Sequence, residues 1–239
     1  MVAVPHPVVI PARFCGPPDR GNGGVTAGLL AAHLDGPVQV TLRQPAPLDT
    51  PLAVVHDGDT VVLRDGGEVI AEAIETIVDV EPPAAISLDA ARAAAAASPV
   101  VLHPEWHPFA SCFVCGPRRA VGDGLRVHPG RVDARELFAA AMSFPAELAD
   151  TAGLVPPELL WAALDCPSSF VMYMDGKRPE VPYVLGRIAA RVDRRPSITA
   201  PLVALSWPLG LEGRKLFAAS ALYDDEEVVA VARATWISV

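Results

Sequence analysis

Two stretches of the chain share one pattern of hydrophobic and polar positions. Residues 61–74 read VVLRDGGEVIAEAI and residues 220–233 read SALYDDEEVVAVAR, and both follow L-x-D-x-x-E-V-[IV]-A-x-A from Leu63 and Leu222. Each stretch has an apolar segment, a short acidic or glycine-containing turn, and a segment of alternating character. This order predicts a β-hairpin in each half of the chain. A pattern that recurs in this way indicates an internal repeat.

Each half also carries one apolar helical segment upstream of its hairpin. The first predicted helix, residues 25–34, follows Asn22, a favourable N-cap residue, and ends before the Asp-Gly-Pro at 35–37. The second, residues 157–164, begins with a proline, which suits the first turn of a helix. It then meets Pro167, which a regular helix does not contain without a kink.

The segment between the two halves has the composition of a linker. Residues 81–99 read EPPAAISLDAARAAAAASP, in which Ser87 is expected to cap a short alanine-rich helix. We therefore divide the chain into an N-terminal repeat with its linker, residues 1–98, and a C-terminal repeat, residues 99–239. Strands and helices do not alternate as in a Rossmann or barrel fold. The pattern instead predicts an α+β fold in which an antiparallel sheet wraps around a central helix, present twice.

Composition and charge narrow the classes of function. The 239 residues are 51% hydrophobic and 20% charged, which is enough apolar material for a packed core. The net charge of −9 disfavours nucleic acids and anionic membrane surfaces as partners, and no apolar stretch is long enough to predict a membrane span. Four cysteines do not indicate a disulfide framework, and the first residues lack the pattern of a secretion signal. We therefore expect a cytoplasmic protein with a small-molecule ligand.

The sequence resembles the hot-dog fold acyl-CoA thioesterase-like proteins, specifically their tandem or double hot-dog members. Over nearly the whole chain, the resemblance depends on Asp19-Arg20-Gly21-Asn22-Gly23-Gly24 before the first helix, Ala163-Leu164-Asp165 in the second helix, and the two matching hairpins. It implies two hot-dog repeats paired into one double hot-dog, with joined sheets and an acyl-CoA site in the crevice between the helices. It implies no cofactor other than the coenzyme A of the substrate.

The resemblance also implies which residues act on the thioester. In single-repeat relatives of this family, a backbone N–H of a His-Gly-Gly motif binds the thioester oxygen. The catalytic acid stands eight positions after the first glycine and comes from the opposite unit. Here Gly23 and Gly24 are present, but Ala31 stands at the position of the acid; the second helix has Asp165, but Pro157 has no N–H to donate. We therefore predict one complete site per chain, with Gly23 and Gly24 facing Asp165 as general base or nucleophile.

Several neighbouring residues complete this predicted site. Asn22 replaces the histidine of the family, so it is expected to orient the substrate or cap the helix but not to act as a base. Ser169 follows Asp165 by four residues, where related enzymes often carry a hydroxyl that positions water. Basic residues are candidates for binding the phosphates of coenzyme A, since guanidinium pairs well with phosphate. These candidates are Arg118, Arg119, Arg187, Arg194, Arg195, Arg214 and Lys215.

Cys112 and Cys115 form a Cys-x-x-Cys pair, and two histidines, His103 and His107, precede it. This spacing is compatible with zinc, but no second Cys-x-x-Cys pair completes a thiolate-rich site. We therefore interpret the cysteines as mainly structural, with a redox role as an alternative, and predict no metal.

The sequence leaves two classes of function open. Hydrolysis of an acyl-CoA thioester is the leading hypothesis, and a degenerate hot-dog protein that binds an acyl or CoA group without catalysis is the alternative. Hydratases of the same fold carry a histidine five residues after the acid; Phe170 occupies that position, and no histidine follows His128. This disfavours hydration chemistry. The acyl group and further association into homo-oligomers are not determined by the sequence.

Overall fold

A computed structural model describes residues 7–132 and 135–239. Four helices are α1 (Gly23–Ala31), α2 (Leu88–Ala96), α3 (Pro99–Leu102) and α4 (Pro157–Ser169). The strands are β1 (Val38–Leu42), β2 (Ala53–Asp57), β3 (Thr60–Asp65), β4 (Glu68–Glu75), β5 (Gly130–Arg131), β6 (Phe138–Met142), β7 (Tyr183–Val192), β8 (Leu202–Glu212), β9 (Lys215–Asp224) and β10 (Glu227–Ser238). No helix in the described part of the chain has the length and hydrophobicity required to cross a membrane.

The strands form a single ten-stranded sheet in which every neighbouring pair is antiparallel. Its order is β2-β3-β4-β1-β7-β10-β9-β8-β6-β5. The first four strands come from the N-terminal half and the other six from the C-terminal half, so the two halves join where β1 pairs with β7. The order on each side of this junction runs outward in the same sense: β1-β4-β3-β2 on one side and β7-β10-β9-β8 on the other. The sheet therefore has the arrangement expected for two paired repeats.

The repeated sequence pattern corresponds to two equivalent hairpins. Strands β3 and β4 form the first and β9 and β10 form the second. The turn residue Gly66 has a φ of 54°, and Asp225, at the equivalent position, has a φ of 55°. A tight hairpin turn requires a left-handed backbone conformation at this position. Glycine adopts this conformation freely, and aspartate tolerates it better than most residues. The hairpins expected from the sequence are confirmed.

Helices α1 and α4 pack directly against each other. Two glycines on α1 allow this close approach: a Cβ atom at Gly24 would lie 2.6 Å from the Ala162 Cα, and one at Gly28 would lie 2.5 Å from the Glu158 Cα. Because these neighbours are backbone atoms, a larger side chain at either glycine would force the helices apart. The glycines stand four residues apart and therefore lie on one face of α1.

The two faces of the sheet carry separate apolar clusters. On β9, Leu222 belongs to the main core with α1 and α4, whereas the adjacent Tyr223 belongs to a smaller cluster that α2 covers through Ala91 and Ala94. This alternation follows from the two-residue period of a strand. Helix α2 begins after Ser87, whose hydroxyl accepts the Ala90 N–H at 3.2 Å, as predicted. The boundary at residue 98 stays a prediction.

Both central helices differ in extent from the sequence prediction. Helix α1 spans Gly23–Ala31, so it begins and ends earlier than 25–34. Helix α4 passes through Pro167 and ends at Ser169, which makes the predicted end at 164 wrong. Hydroxyl groups donate to backbone carbonyls around the proline: Ser168 to Asp165 at 2.7 Å and Ser220 of β9 to Leu164 at 2.6 Å. The Ser220 contact comes from the sheet and has no signature in the local sequence.

Candidate active site

Asp165 and Gly24 meet where the two repeats pack together. The Gly24 N–H donates to the Asp165 Oδ2 at 2.8 Å. The Asp165 side chain is only 1% exposed, and its Oδ1 has no hydrogen-bond partner among the described residues. The structure therefore brings together the glycine pair of the first repeat and the acid of the second repeat. One carboxylate oxygen is held by α1, and the other is buried with its hydrogen-bonding capacity unused by the described residues.

The N-terminus of α1 provides a second backbone donor next to this contact. The Val25 N–H donates to the Asn22 Oδ1 at 3.0 Å, which confirms Asn22 as the N-cap, and Gly24 holds Asp165. The Gly23 N–H makes no hydrogen bond within residues 7–132 and 135–239. Gly23 lines the adjacent cavity. An N–H at a helix N-terminus that faces a cavity is suited to bind a negatively charged or polarised oxygen.

Burial changes the protonation of Asp165. Removal from water raises its pKa to about 8, because the charged form loses its hydration. The Gly24 N–H opposes this effect by stabilising the carboxylate, and the nearby Cys112 adds to it by repulsion. With this pKa most of the Asp165 side chain is protonated at pH 7, and the ionised fraction, which grows as the pH rises through 8, is a much stronger base than a carboxylate in water.

A cavity of about 310 Å³ lies beside these groups. Its buried lining includes Asn22, Asp165 and Cys166, whereas Arg20 and Arg43 are exposed. The cavity therefore has an inner end at the helix contact and an opening toward solvent. Apolar side chains make up much of its wall and come from both repeats: Leu42, Phe109, Met172, Leu185, Trp236 and Ile237. Such a volume and lining are typical of a small-molecule site.

Ser169 lines the same cavity, but its hydroxyl donates to the Cys166 backbone carbonyl at 2.7 Å. The hydroxyl is therefore engaged by its own helix.

The opposite pairing, in which the N-terminus of α4 would supply the backbone donor and the end of α1 the acid, has neither group. Pro157 begins α4 without an N–H, and Ala31 ends α1 without an acid.

Three cysteines cluster beside Asp165. The Cys112 Sγ lies 3.5 Å from the Cys115 Sγ and 3.7 Å from the Cys166 Sγ. The Cys115 thiol donates to Cys112, and the sulfurs of Cys166 and Cys112 contact each other; these hydrogen bonds hold the pKa of Cys112 well below its usual range, although burial acts in the opposite direction. The same contacts raise the pKa of the other two thiols well above that range. The described part of the chain contains no disulfide, and Cys15 lies outside the cluster.

The two histidines near the Cys-x-x-Cys pair have different positions. The His107 Nε2 lies 3.1 Å from the Cys115 Sγ, and its Nδ1 accepts the Phe109 N–H at 3.0 Å. His103 stacks on Trp106 and does not contact the cysteine cluster. Burial lowers the pKa of His107, so the ring is neutral at pH 7.

The basic residues selected from the sequence do not line the cavity. Arg187 contacts the Thr41 hydroxyl, Arg194 pairs with Asp224, and Arg214 donates to the Ser238 carbonyl. Lys215 is exposed at the start of β9, and Arg119 is engaged with several groups, among them Asp123. Their assignment to coenzyme A stays a prediction.

Sequence reasoning missed four residues of this region: Arg20, Arg43, Gly28 and Cys166. Arg20 stands within the Asp-Arg-Gly-Asn-Gly-Gly motif, and Gly28 follows Gly24 at helical spacing, so both carried a detectable signal. Cys166 directly follows Asp165, but no sequence spacing links it to Cys112 and Cys115. Only the packing of α4 brings its thiol to them.

Comparison with solved structures identifies proteins with the same arrangement over most of the chain. A hot-dog fold protein of unknown function from Alicyclobacillus acidocaldarius has a TM-score of 0.58 at 15% identity, covering 95% of this chain and 90% of that one. A protein from Novosphingobium aromaticivorans, for which a thioesterase activity has been suggested, has a TM-score of 0.63 at 9% identity, with coverages of 97% and 94%. An acyl-CoA thioesterase II from Mycobacterium marinum has a TM-score of 0.59 at 12% identity, with coverages of 92% and 90%.

No protein-family model and no curated protein sequence matches this chain. At identities this low, similarity of structure establishes the fold and leaves the activity to be argued from the site. The neighbours match along almost the entire chain, and the strand order around the β1–β7 junction is that of two paired units. The protein therefore has the hot-dog fold, with two repeats in one chain that join into a double hot-dog.

Proposed function

We propose that this protein hydrolyses an acyl-CoA thioester at one composite site between its two repeats. The observation that carries the proposal is the 2.8 Å contact between the Gly24 N–H of the first repeat and the Asp165 carboxylate of the second, beside a cavity of about 310 Å³. The Gly23 N–H next to this contact is the second element of the site. Together they provide a basic carboxylate from α4 and a backbone N–H donor from the first turn of α1.

The chemistry follows from the charges that develop during hydrolysis. The thioester carbonyl oxygen becomes negative in the transition state, and the Gly23 N–H at the positive end of α1 stabilises that charge. Asp165 removes a proton from water as the water oxygen bonds to the carbonyl carbon. The C–S bond then breaks, and the proton passes to the departing thiolate. In the nucleophilic variant, a carboxylate oxygen of Asp165 bonds to the carbonyl carbon and the C–S bond breaks, so that the thiolate leaves. Water then hydrolyses the resulting anhydride, which releases the acid, regenerates Asp165 and supplies the proton for the thiolate.

The cavity supports an acyl-CoA substrate. Its apolar wall accepts an acyl group, and Arg20 and Arg43 are the exposed basic residues that line it. Arg43 already pairs with Glu72 at 2.6 Å, so we assign Arg20 to the phosphates of coenzyme A, because guanidinium pairs with phosphate through two parallel hydrogen bonds. The structural neighbour from Mycobacterium marinum, named an acyl-CoA thioesterase II, favours the same class of substrate.

Release of free coenzyme A thiol from a panel of acyl-CoA thioesters tests this function directly. We expect turnover by the wild type and a fall of about 10²-fold or more in Asp165→Asn, because the amide neither accepts a proton nor attacks a carbonyl. Asp89→Asn is the matched control: Asp89 also lies on a helix, but it is 90% exposed and pairs with Arg92. Equal turnover by wild type and Asp165→Asn would contradict the proposal.

Binding of an acyl or CoA group without catalysis is the second candidate function. It is favoured by the burial of Asp165 and by the use of its Oδ2 in holding Gly24. A carboxylate held only for helix packing needs no substrate. Calorimetric binding of an acyl-CoA together with no thiol release from any member of the panel would support this alternative.

A further inference from the structure

The cysteine cluster is formed by two segments that are distant in sequence. Cys112 and Cys115 belong to the loop before β5, and Cys166 belongs to α4. Their three Sγ atoms lie within 4.8 Å of one another, and all three side chains are buried. Tetrahedral zinc with Zn–S bonds of ~2.3 Å separates its sulfur ligands by about 3.8 Å. The 3.5 Å and 3.7 Å separations from Cys112 are close to that value.

We propose that Cys112, Cys115 and Cys166 bind one Zn²⁺ ion as thiolates. Three sulfur ligands select a soft or borderline metal and exclude magnesium and calcium, which prefer oxygen. A disulfide would join two of the three sulfurs by an S–S bond of about 2.05 Å and would not account for the position of the third sulfur beside them. A metal ion uses all three. The ligands of this site do not include Asp165 or the α1 glycines, so metal binding can be measured without an assay of thioester hydrolysis.

Two side chains beside the sulfurs, Asn22 and His107, are hydrogen-bond donors, whereas the Asp165 Oδ2 lies 3.9 Å from the Cys166 Sγ and accepts from its thiol. Because the Asn22 Oδ1 accepts the Val25 N–H, the Asn22 Nδ2 points at the sulfurs of Cys166, at 3.5 Å, and Cys112, at 3.8 Å. The His107 Nδ1 accepts a backbone N–H, so in the neutral ring the proton resides on Nε2, which faces Cys115. His107 is therefore a donor to a ligand sulfur and not itself a ligand. Hydrogen bonds from such donors to the ligand sulfurs stabilise bound thiolates.

The loop that carries the first two cysteines has a tight turn that holds both sulfurs on one side. The Gly116 N–H donates to the Cys112 carbonyl at 2.9 Å. A Cβ at Gly116 would lie 2.5 Å from the same carbonyl oxygen, so glycine is required for this turn. The Cys-x-x-Cys-Gly segment is thereby shaped to present two ligands, and α4 supplies the third.

The ion would connect this loop to the helix that carries the candidate catalytic acid. Cys166 directly follows Asp165, and all three cysteines line the cavity. We therefore assign the fourth coordination position to water or to a ligand in the cavity. The metal holds α4 at the residue next to Asp165, so its removal is expected to loosen the helix contact between the repeats.

Metal binding is tested on the intact chain without any assay of hydrolysis. Protein purified under reducing conditions is stripped with a chelator, then titrated with Co²⁺ and, separately, with Zn²⁺. We expect one equivalent of Zn²⁺ by elemental mass spectrometry and a sulfur-to-cobalt charge-transfer band in the near ultraviolet with Co²⁺. Zn²⁺ should also raise the unfolding temperature of the stripped protein, since a ligand that binds only the folded state stabilises it.

The matched variants are Cys166→Ser and Cys15→Ser. Cys15 is also buried, but its Sγ contacts the Ser111 carbonyl and Arg119 outside the cluster. We expect Cys166→Ser to bind Co²⁺ at least about tenfold more weakly, whereas Cys15→Ser retains wild-type binding. If Cys166→Ser does not fold, titration of the stripped wild type with Co²⁺ and Zn²⁺ tests the proposal by itself. Absence of a charge-transfer band and of zinc-dependent stabilisation, or a disulfide within the cluster in place of metal, would overturn the proposal.

Discussion

Gly28 lies at the point where α1 crosses α4. A Cβ atom at this position would lie 2.5 Å from the Glu158 Cα and 2.9 Å from the Trp161 Cβ. Carbon atoms in ordinary contact are ~3.5–4.0 Å apart, so Gly28→Ala must move the two helices apart by about 1 Å. The α4 backbone provides one side of this contact and does not change rotamer to make room.

The expected loss of stability combines two opposing effects. Overpacking of a tight interface costs about 1–3 kcal/mol, and replacing glycine by alanine inside a helix recovers up to about 1 kcal/mol. We therefore expect Gly28→Ala to lower the free energy of unfolding by about 1–2 kcal/mol. Gly24 lies one helical turn earlier, so the same displacement lengthens its 2.8 Å contact with Asp165. A misplacement of about 1 Å in a catalytic site lowers the rate by about 10²-fold.

Urea denaturation and thioester turnover measure these two effects on one sample. Gly67→Ala is the control, because Gly67 is exposed in the β3–β4 turn, lacks a positive φ and has no atom within 4 Å of an added Cβ. We expect the control to remain within about 0.5 kcal/mol of wild type with full turnover. A Gly28→Ala protein with wild-type stability and turnover would refute the assignment of this crossing as the support of the site.

Three further outcomes follow from individual contacts. Arg20→Ala should raise the KM for acyl-CoA about 3- to 10-fold while leaving unchanged the KM for a thioester that lacks the nucleotide, because Arg20 is assigned to phosphate. Ser220→Ala should lower the free energy of unfolding in urea by about 1–2 kcal/mol, because it removes a buried 2.6 Å hydrogen bond to α4. The Leu154 N–H and then Arg195 hold the pKa of Asp150 below its usual 3.8. This carboxylate therefore stabilises the fold above pH 3.8, and the contribution is lost as the pH falls through the lowered pKa. Asp150→Asn should accordingly unfold at a lower temperature than wild type at pH 7, and the difference between the two unfolding temperatures should shrink at pH 3. A difference at pH 3 that equals or exceeds the one at pH 7 would contradict this.

The repeat and its hairpins were accessible from the sequence because each depends on local spacing, and the Gly24–Asp165 pair was accessible through the resemblance to a known family. The shared pattern at Leu63 and Leu222 defines two hairpins, and a turn that requires a left-handed residue has glycine in one copy and aspartate in the other. A hairpin expresses these properties by itself. The facing of the glycine pair and Asp165 is instead what the resemblance to the hot-dog thioesterases implies, once each helix is seen to lack one of the two groups.

The other features depend on contacts between segments and could not be predicted. The hydroxyl of Ser220 donates to α4 from β9, so the continuation of the helix through Pro167 is not encoded in the helix alone. Cys166 reaches the Cys-x-x-Cys loop only through the packing of α4. Arg43 is distinguished from the other basic residues by its position in the fold and not by its neighbours in sequence, whereas Arg20 belongs to the motif before α1.

The most direct test of the composite site is a crystal structure of Asp165→Asn with an intact acyl-CoA. The substitution is designed to stop hydrolysis, so the thioester survives in the crystal. We expect the thioester oxygen at about 2.7–3.1 Å from the Gly23 nitrogen, with its carbonyl carbon facing the side chain at position 165 and the acyl group in the cavity. A thioester bound outside the cavity, or one whose oxygen is held by groups other than the α1 N-terminus, would contradict the claim that the N-terminal and C-terminal repeats share one site.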